Sequence, residues 1–497
     1  MRPIEKYSLT LAEAAHVVGA TSALSENELA SISISGATHS DSLIEPGDIF
    51  IAVAGAKHHG ATFADKAKAR GAVAVITDVE GAARIKDIPV LVVAHPREAG
   101  AAVSAALYRH PMRDLHSIGI TGTNGKTTVT TLLHQIFQLA GRESGLIGTV
   151  ETRIGSESYK SSRTTPEASD LQALAAVMKE RHMRHLVMEV SSHAMALKRL
   201  KSAHFDYVGF TNLTQDHLDF HGTMQEYFES KAKLFTFEYA ECGFINIDDQ
   251  YGAELTEISE IPVISLSRSK STAQWHYIDY VNEASGVAFK IRGTGGILIE
   301  ATTPLKGGYN LDNLLMAIAI AHEAGIDPVE IATIIPVING AAGRLDPVNI
   351  GQSFGAFVDY AHSPDAVTNV LATAREFTTG KIIAVLGCGG DRDSAKRSLM
   401  GDALREGADI AIFSSDNPRS EDPRVILKEM VGEKLPTAPS AVIEDRREAI
   451  FHAVSLASNG DSVLILGKGH ENGQEINGEV TPFDDKLVLA EAIEAKK

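Results

Sequence analysis

The sequence predicts an α/β fold in three domains, and three observations carry that prediction. Short apolar runs alternate with helix-period stretches through most of the chain, the pattern of parallel strands joined by helical crossovers. At 497 residues and 44% hydrophobic, the chain is too long for one core and has apolar material for two or three. Two segments read as joints: Arg109-His110-Pro111-Met112-Arg113-Asp114 before a new strand, and Asn339-Gly340-Ala341-Ala342-Gly343, where small residues interrupt the pattern. The expected domains are therefore 1–111, 112–341 and 342–497.

The first domain should hold a strand at Asp48 to Val53, a helix from Ala64 to Arg70 and a strand at Ala72 to Ile76, with no catalytic spacing among them. The second opens with the strand Ser117 to Ile120 and continues with strands at Leu186 to Val190, Tyr207 to Leu213 and Phe244 to Ile247. The third repeats the plan at Ile382 to Leu386, Ala408 to Phe413 and Ser462 to Leu466, each run followed directly by Gly, Ser, Asp or His. Ligands of open α/β sheets bind beyond the carboxyl ends of the strands, so these last three loops should converge on one site. No tandem repeat or low-complexity tract is apparent.

Composition excludes several classes of function. A formal charge of -18 leaves no basic footprint for nucleic acid, so an anionic ligand must be held by local devices. Two cysteines, Cys242 and Cys388, lie far apart without CxxC spacing, which suggests neither a disulfide framework nor a zinc site. Glu5 and Glu13 interrupt the start where a secretory signal needs an unbroken apolar stretch, and no apolar run reaches the roughly 18 residues of a membrane span. The expectation is a cytoplasmic, monomeric protein with disorder confined to its termini.

After the strand Ser117 to Ile120 comes Thr121-Gly122-Thr123-Asn124-Gly125-Lys126-Thr127-Thr128, then a helix with Val129, Leu132, Leu133, Ile136 and Phe137 on one face. This is a P-loop in its proper context. Glycines let backbone N–H groups turn in around phosphate oxygens, Lys126 adds a point charge at the β and γ phosphates, and Thr127 can ligate Mg2+. The loop departs from GxxxxGK[ST] because Gly119 falls one place early and Gly122 two places late for the first glycine. A Gly-rich strand-to-helix turn can be merely a tight turn; strand, glycines, Lys-Thr and amphipathic helix together favour nucleotide binding. Glu189 closes one strand and His217 follows another, in Asn212-Leu213-Thr214-Gln215-Asp216-His217, so each can ligate a second Mg2+ near the γ phosphate. Singly, a Glu or His at a strand end is more often an ordinary hydrogen-bonded residue.

With these residues in place the chain resembles the Mur ligases over nearly its whole length. The motifs are GTNGKTT at Gly122 to Thr128, EVSSHA at Glu189 to Ala194, DHLDFHG at Asp216 to Gly222, GGYNLDN at Gly307 to Asn313 and GRLDPV at Gly343 to Val348. They continue in family order with DYAHSPDA at Asp359 to Ala366, GGDRD at Gly389 to Asp393, DNPRSEDP at Asp416 to Pro423 and GKGHE at Gly467 to Glu471. The resemblance implies an N-terminal UDP-binding α/β domain, a central P-loop ATPase domain with a mainly parallel sheet, and a Rossmann-like C-terminal domain that takes the amino acid. It also implies the chemistry: ATP phosphorylates the D-glutamate side-chain carboxylate of UDP-N-acetylmuramoyl-L-alanyl-D-glutamate, and an amine of meso-diaminopimelate attacks the acyl phosphate. Catalysis of that kind is positioning plus charge neutralisation, with no protein nucleophile.

By the same resemblance Lys231 matches the lysine that the family carries as N6-carboxylysine, an anion that can support the metal site, with Lys233 an ordinary surface lysine on the same stretch. Asn310, Asn313, Arg344, Asp359, Tyr360 and His362 should line the nucleotide site, with Arg344 on the glycine-rich joint. Thr164, Thr165, Glu167, Ser191 and Arg199 match positions that hold the muramyl dipeptide; many relatives have Gln where Leu197 stands. Relatives often read DSR before PGD, whereas Ser40-Asp41-Ser42 precedes Pro46-Gly47-Asp48 here, which puts Ser42 in the uridine region.

DNPRSEDP bears on the amino acid. Meso-diaminopimelate has a second amino-acid head that lysine lacks, and Arg419 offers its carboxylate a bidentate fork, with Arg392 as a second partner. Asp416 and Glu471 can take the ammonium, and Asn417 and Gly467 can bond to the same head. The rival reading pairs Arg419 with Glu421 or Asp422, and addition of L-lysine then stays open. After GKGHE this chain has Asn472-Gly473-Gln474 where many relatives have an aromatic followed by Gln, an expected loosening of the pocket loop. Two other functions remain: a folylpolyglutamate synthase, which DNPRSEDP and the first domain disfavour, and a non-catalytic nucleotide-binding protein, which need not keep Lys126, Glu189, His217 and Lys231 together.

Overall fold

The central parallel strands of this protein form where apolar runs are covered on both faces. The computed structural model describes residues 1–55, 58–161, 163–283 and 286–497. The chain packs as two compact units, one made of Met1–Gly122, Leu133–Thr211 and Gln225–Ser265, the other of Thr123–Leu132, Asn212–Met224 and Leu266–Lys497.

In the first unit Gly36–Thr38, Asp48–Ile51, Ala74–Thr77 and Val90–Val92 form a parallel sheet in that order. Every residue of the two middle strands is buried, as parallel strands require. The helix Ala64–Ala69 matches its predicted stretch, and the strand expected at 72–76 begins at Ala74, after Gly71 and the helix's last turn. Helix Pro96–Leu107 lays Ala99, Val103 and Leu107 into the core with Ile49, Ile51 and Ile76. At the joint, Arg109 (φ 59°) and His110 (φ 55°) turn left-handed, and one 3-10 turn, Pro111–Asp114, leads to the next strand.

That strand, His116–Thr121, is central to a larger sheet. Five strands run parallel in the order Ser144–Ile147, His185–Glu189, His116–Thr121, Phe205–Phe210 and Ala240–Asn246. Glu189 and Thr121 are the last residues of their strands, at the carboxyl edge where such sheets bind ligands. The run predicted to continue to Leu213 stops at Phe210: Thr211 and Leu213 are buried, but they already belong to the turn beyond the strand.

In the second unit Trp275–Glu283, Gly286–Arg292 and Leu298–Thr303 form an antiparallel meander, and the helix Gly308–Glu323 buries most of its length. A six-stranded sheet follows in the order Asp346–Pro347, Gly355–Asp359, Ser462–Leu466, Ile382–Leu386, Ile410–Phe413 and Ala441–Val442, parallel but for the first pair. The strand expected from Ala408 starts at Ile410, because the preceding helix runs through Gly407. Ile382, Ala384 and Leu386 face one core and Ile383 and Val385 the other, the two-residue alternation of a sheet covered on both sides.

Candidate active site

The glycine-rich loop before the helix Lys126–Leu139, expected to bind nucleotide, is braced by the segment after the strand Phe205–Phe210. Thr123 N donates to Asn212 O (2.8 Å), Asn124 N to Asn212 Oδ1 (3.0 Å), and Thr214 N to Thr123 Oγ1 (3.0 Å). Asn212 and Thr214 thus hold the shortened loop from outside it, a role that the P-loop pattern alone gives no sign of. Gly125 has φ 89°, and a Cβ on it would lie 2.3 Å from Asn313 Oδ1, so both conformation and packing demand glycine. Lys126 opens the helix Lys126–Leu139, its Nζ donating to Thr123 O (2.8 Å), and Thr127 and Thr128 are buried behind it. Asn310 is buried and donates to Lys306 O (2.9 Å).

A lysine and a threonine at the N-terminus of a long helix suit a nucleotide phosphate. Among the described residues no three His, Cys, Asp or Glu side chains converge as a metal cage. Mg2+ fits nonetheless, because it is usually held by one or two protein groups together with substrate phosphates. Thr127 and His217 lie in the second unit and Glu189 in the first. His217 adopts φ 54° ahead of the turn Leu218–His221, its ring half-exposed. Neighbouring Asp216 accepts from Lys396 Nζ (2.8 Å). Burial would raise the Asp216 carboxyl, but His217 and Lys396 overcome this and hold it at about 2.

In the first unit Glu189 is buried and accepts from Thr149 N (2.8 Å) and Thr149 Oγ1 (3.0 Å). Thr164 Oγ1 meets the same Thr149 hydroxyl at 3.0 Å. Thr165 is buried, donating to Glu189 O (2.8 Å) and accepting from Ser191 N (3.0 Å), while Ser191 Oγ caps the helix Ser192–Ala196. The hydroxyls of Thr165 and Ser191 therefore shape the strand end as well as facing it. Glu167 is ringed by Arg97, Arg163 (2.6 Å) and Arg199 (3.0 Å). Burial raises its carboxyl, but His39 and the arginines pull it below the usual range. Arg97 and Arg163 were not among the sequence candidates, since the sequence gives no sign that they meet Glu167. Lys231 is buried, donating to Gly122 O (2.7 Å) with its Nζ 4.7 Å from the Tyr227 ring. Ser42 lies exposed in a 3-10 turn, its hydroxyl 2.8 Å from that of Ser40.

At the glycine-rich joint, Arg344 stacks over Tyr360 with its guanidinium carbon 4.7 Å from the ring centre. Asp359 accepts from Leu345 N (2.6 Å) and Ala361 N (2.8 Å). Burial raises its carboxyl against the pull of Arg344 and these two amides. The Tyr360 ring lies 4.6 Å from that of His362 and 5.1 Å from that of His470.

The three loops of the last sheet do converge. A cavity of about 350 Å³ is lined by Gly387–Gly389, by Asp416, Asn417 and Arg419, and by Gly467 and Glu471; Arg392, Tyr360, His362 and His217 also face it. Gly467 (φ 112°) leaves no room for a side chain, since a Cβ would lie 2.6 Å from Asp416 Oδ2. Asp416 is buried, which raises its carboxyl against the pull of Arg446 and Lys468. Arg419 donates to Gly390 O (2.7 Å) and approaches Glu475 at 3.5 Å. Neither acid of the rival pairing takes it: Glu421 is bound by Arg397, and Asp422 caps the helix Pro423–Val431. The segment expected to loosen the pocket is stitched down instead. Gln474 Nε2 donates to Asp416 O (2.7 Å), Glu475 N to Asn417 Oδ1 (2.9 Å), and Arg419 N to Glu475 O (3.0 Å). Lys396 and Asp219 also line the cavity, and Lys468 lies beneath it; the motifs contain or flank all three without marking them.

Family models of the Mur ligases match in three places: the family's catalytic domain over residues 30–113, its middle domain over 120–321 and its glutamate ligase domain over 343–469. The chain belongs to the Mur ligase family. It is 46% identical over 501 aligned residues to the UDP-N-acetylmuramoyl-L-alanyl-D-glutamate--2,6-diaminopimelate ligase of Streptomyces coelicolor, covering 99% of this chain and 98% of that protein. A solved structure of a ligase with that name superposes with a TM-score of 0.70 at 31% identity, covering 98% of this chain and 99% of the other. A folylpolyglutamate synthase of Mycobacterium tuberculosis shares the fold (TM-score 0.59, 19% identity), covering 74% of this chain and 91% of the other.

Proposed function

We propose that this Mur ligase joins meso-diaminopimelate to the D-glutamate side-chain carboxylate of UDP-N-acetylmuramoyl-L-alanyl-D-glutamate in peptidoglycan precursor synthesis. It is an ATP-dependent, amide-bond-forming enzyme that uses Mg2+. The observation that carries the substrate reading is the cavity: two acids, Asp416 and Glu471, share it with two arginines, Arg392 and Arg419. An amino-acid head presents one ammonium and one carboxylate, and this lining answers both. Lysine has no carboxylate at its far end to meet the arginine fork, and the relatives at 39–46% identity bear the diaminopimelate name.

Lys126 and the amides of Gly122 to Thr128 would hold the nucleotide phosphates, with Asn310, Asn313, Arg344, Asp359, Tyr360 and His362 around the nucleoside. Thr127, Glu189 and His217 are the residues that would serve as Mg2+ ligands, and the ion would supply charge neutralisation during phosphoryl transfer. Lys231 would act as N6-carboxylysine: after carbamylation its nitrogen keeps one hydrogen for the Gly122 carbonyl, and its new carboxylate supports the metal. Ser42, Thr164, Thr165, Ser191 and Arg199 would hold the muramyl substrate, with Glu167 orienting the arginines around it. Asp416 and Glu471 fix the ammonium of the diamino acid's recognised head, which leaves the amine at its other end to attack.

The domain boundaries that fit this scheme are 1–111, 112–341 and 342–497, with the protein acting as a monomer in the cytoplasm, where ATP is made available. Among the described residues no helix is long and apolar enough to cross a membrane. The test is phosphate release from ATP with the muramyl dipeptide substrate and, in parallel, meso-diaminopimelate, L-lysine or no amino acid. Turnover with diaminopimelate alone is expected; turnover with lysine would discard the arginine-fork reading.

A further inference from the structure

Lys468 does not line the cavity, yet its side chain is fully buried directly under it. Its Nζ donates to Asn417 Oδ1 (3.0 Å) and Glu471 Oε2 (3.1 Å) and stands 3.9 Å from Asp416 Oδ1. We propose that Lys468 is the positioning residue of the amino-acid site, its buried ammonium setting Asp416, Asn417 and Glu471 as a fixed, ionised receptor for the substrate ammonium. The inference rests on reading this cavity as the amino-acid site.

Two features support it. The first is orientation. Asn417 Oδ1 accepts from both Lys468 Nζ and Glu475 N (2.9 Å), so its amide can present only Nδ2 to Glu471, which it does at 2.8 Å. Glu471 Oε2 then has two donors from within the protein, which locks the carboxylate in one rotamer with its side chain one-third exposed. A buried lysine is thus a bracket between one strand-end loop and the next.

The second is charge. Asp416 and Glu471 carry two negative charges and Lys468 one positive. Several neighbouring charges pair off: Arg446 with Asp485 below, Arg419 with Glu475 beside, and, on the other wall, Lys396 with Asp216 and Arg397 with Glu421, where Asp219 and Asp393 also line the cavity. Tyr360 and Cys388 also face the acids and are uncharged, burial holding both above their usual ranges. The sum over Asp416, Glu471 and Lys468 is minus one, which one substrate ammonium neutralises; Arg392 and the Arg419 fork, both in the lining, are left for a carboxylate. Without Lys468, the buried Asp416 carboxyl, already raised by burial, would lose an opposing charge and take up a proton at higher pH.

The test compares the whole enzyme with Lys468→Met and Lys468→Gln by steady-state kinetics at pH 8.5 and 6.5, with thermal unfolding as the check on folding. The expected result is a KM for the diamino acid at least tenfold higher in both variants at pH 8.5, the ratio to wild type growing at pH 6.5, and a KM for ATP within threefold. Lys468→Gln keeps a donor without the charge, so it carries the comparison if the methionine variant does not fold. A ratio that is the same at both pH values, or an equal loss for ATP, would reduce Lys468 to a packing role and overturn the proposal. Wild-type enzyme that releases no phosphate in response to any amine would instead overturn the reading of the site, and this inference with it.

Discussion

At the scale of single residues, several charged groups of the cavity lining already have partners within the protein. Arg419 is held by Gly390 O and Glu475 at the cavity wall, so truncating it removes the fork without unmaking a core. Arg419→Ala is expected to weaken use of diaminopimelate by about 2 kcal/mol or more, roughly 30-fold in kcat/KM, while the KM for ATP barely moves; equal losses would contradict the assignment. Lys231 makes a different prediction. If it works as a carbamate, enzyme held in CO2-free buffer should lose activity and regain it on adding bicarbonate, whereas an activity indifferent to bicarbonate would leave Lys231 a plain buried lysine. The sequence made the residues of the charged lining legible because they fall in compact motifs. It did not make Lys396, Arg97 or Lys468 legible, since what marks them is a partner far away in the chain: Asp216, Glu167 and Asn417.

At the scale of elements, the parallel strands place their loops on one edge, and specific packing then fixes each loop. Gly125 combines φ 89° with an Asn313 oxygen 2.3 Å from where a Cβ would go. Gly125→Ala should therefore raise the KM for ATP at least about tenfold, near 1.4 kcal/mol, with the KM for the amino acid much less affected. Beside the last sheet Arg446, fully buried and paired with Asp485, also donates to Ser415 O (3.1 Å) and Leu466 O (2.9 Å), the carbonyls just before Asp416 and Gly467. Arg446→Met strands the Asp485 carboxylate in the interior, and denaturant unfolding should report a loss of about 3–5 kcal/mol. Strand positions were readable because buried parallel strands are continuous apolar runs. Their ends were not, because Thr211 and Leu213 are as buried in the turn as residues in the strand itself.

At the scale of the whole molecule, stability should depend on pH through histidines buried in the first unit. Burial lowers His39, His134 and His185 to about 4 each. The unfolded chain, with histidines near 6.5, then binds more protons than the folded one between about pH 6.5 and 4. Their contribution is complete above pH 6.5 and is lost as the pH falls through that window, so the unfolding midpoint should drop from pH 7.5 to pH 5; an unchanged midpoint would show that these rings are protonated when folded. By itself the sequence determined the α/β class, the family, the glycine-rich loop between strand and helix and the motifs that line the cavity, because each is written in local spacing and apolar periodicity. Tertiary structure alone decided which acid Arg419 meets, that Glu167 gathers three arginines, that Gln474 ties down the pocket loop and that a buried lysine underlies the acids. Those are contacts between residues distant in sequence, and charge pairing and hydrogen-bond direction depend on where the folded backbone brings the groups together.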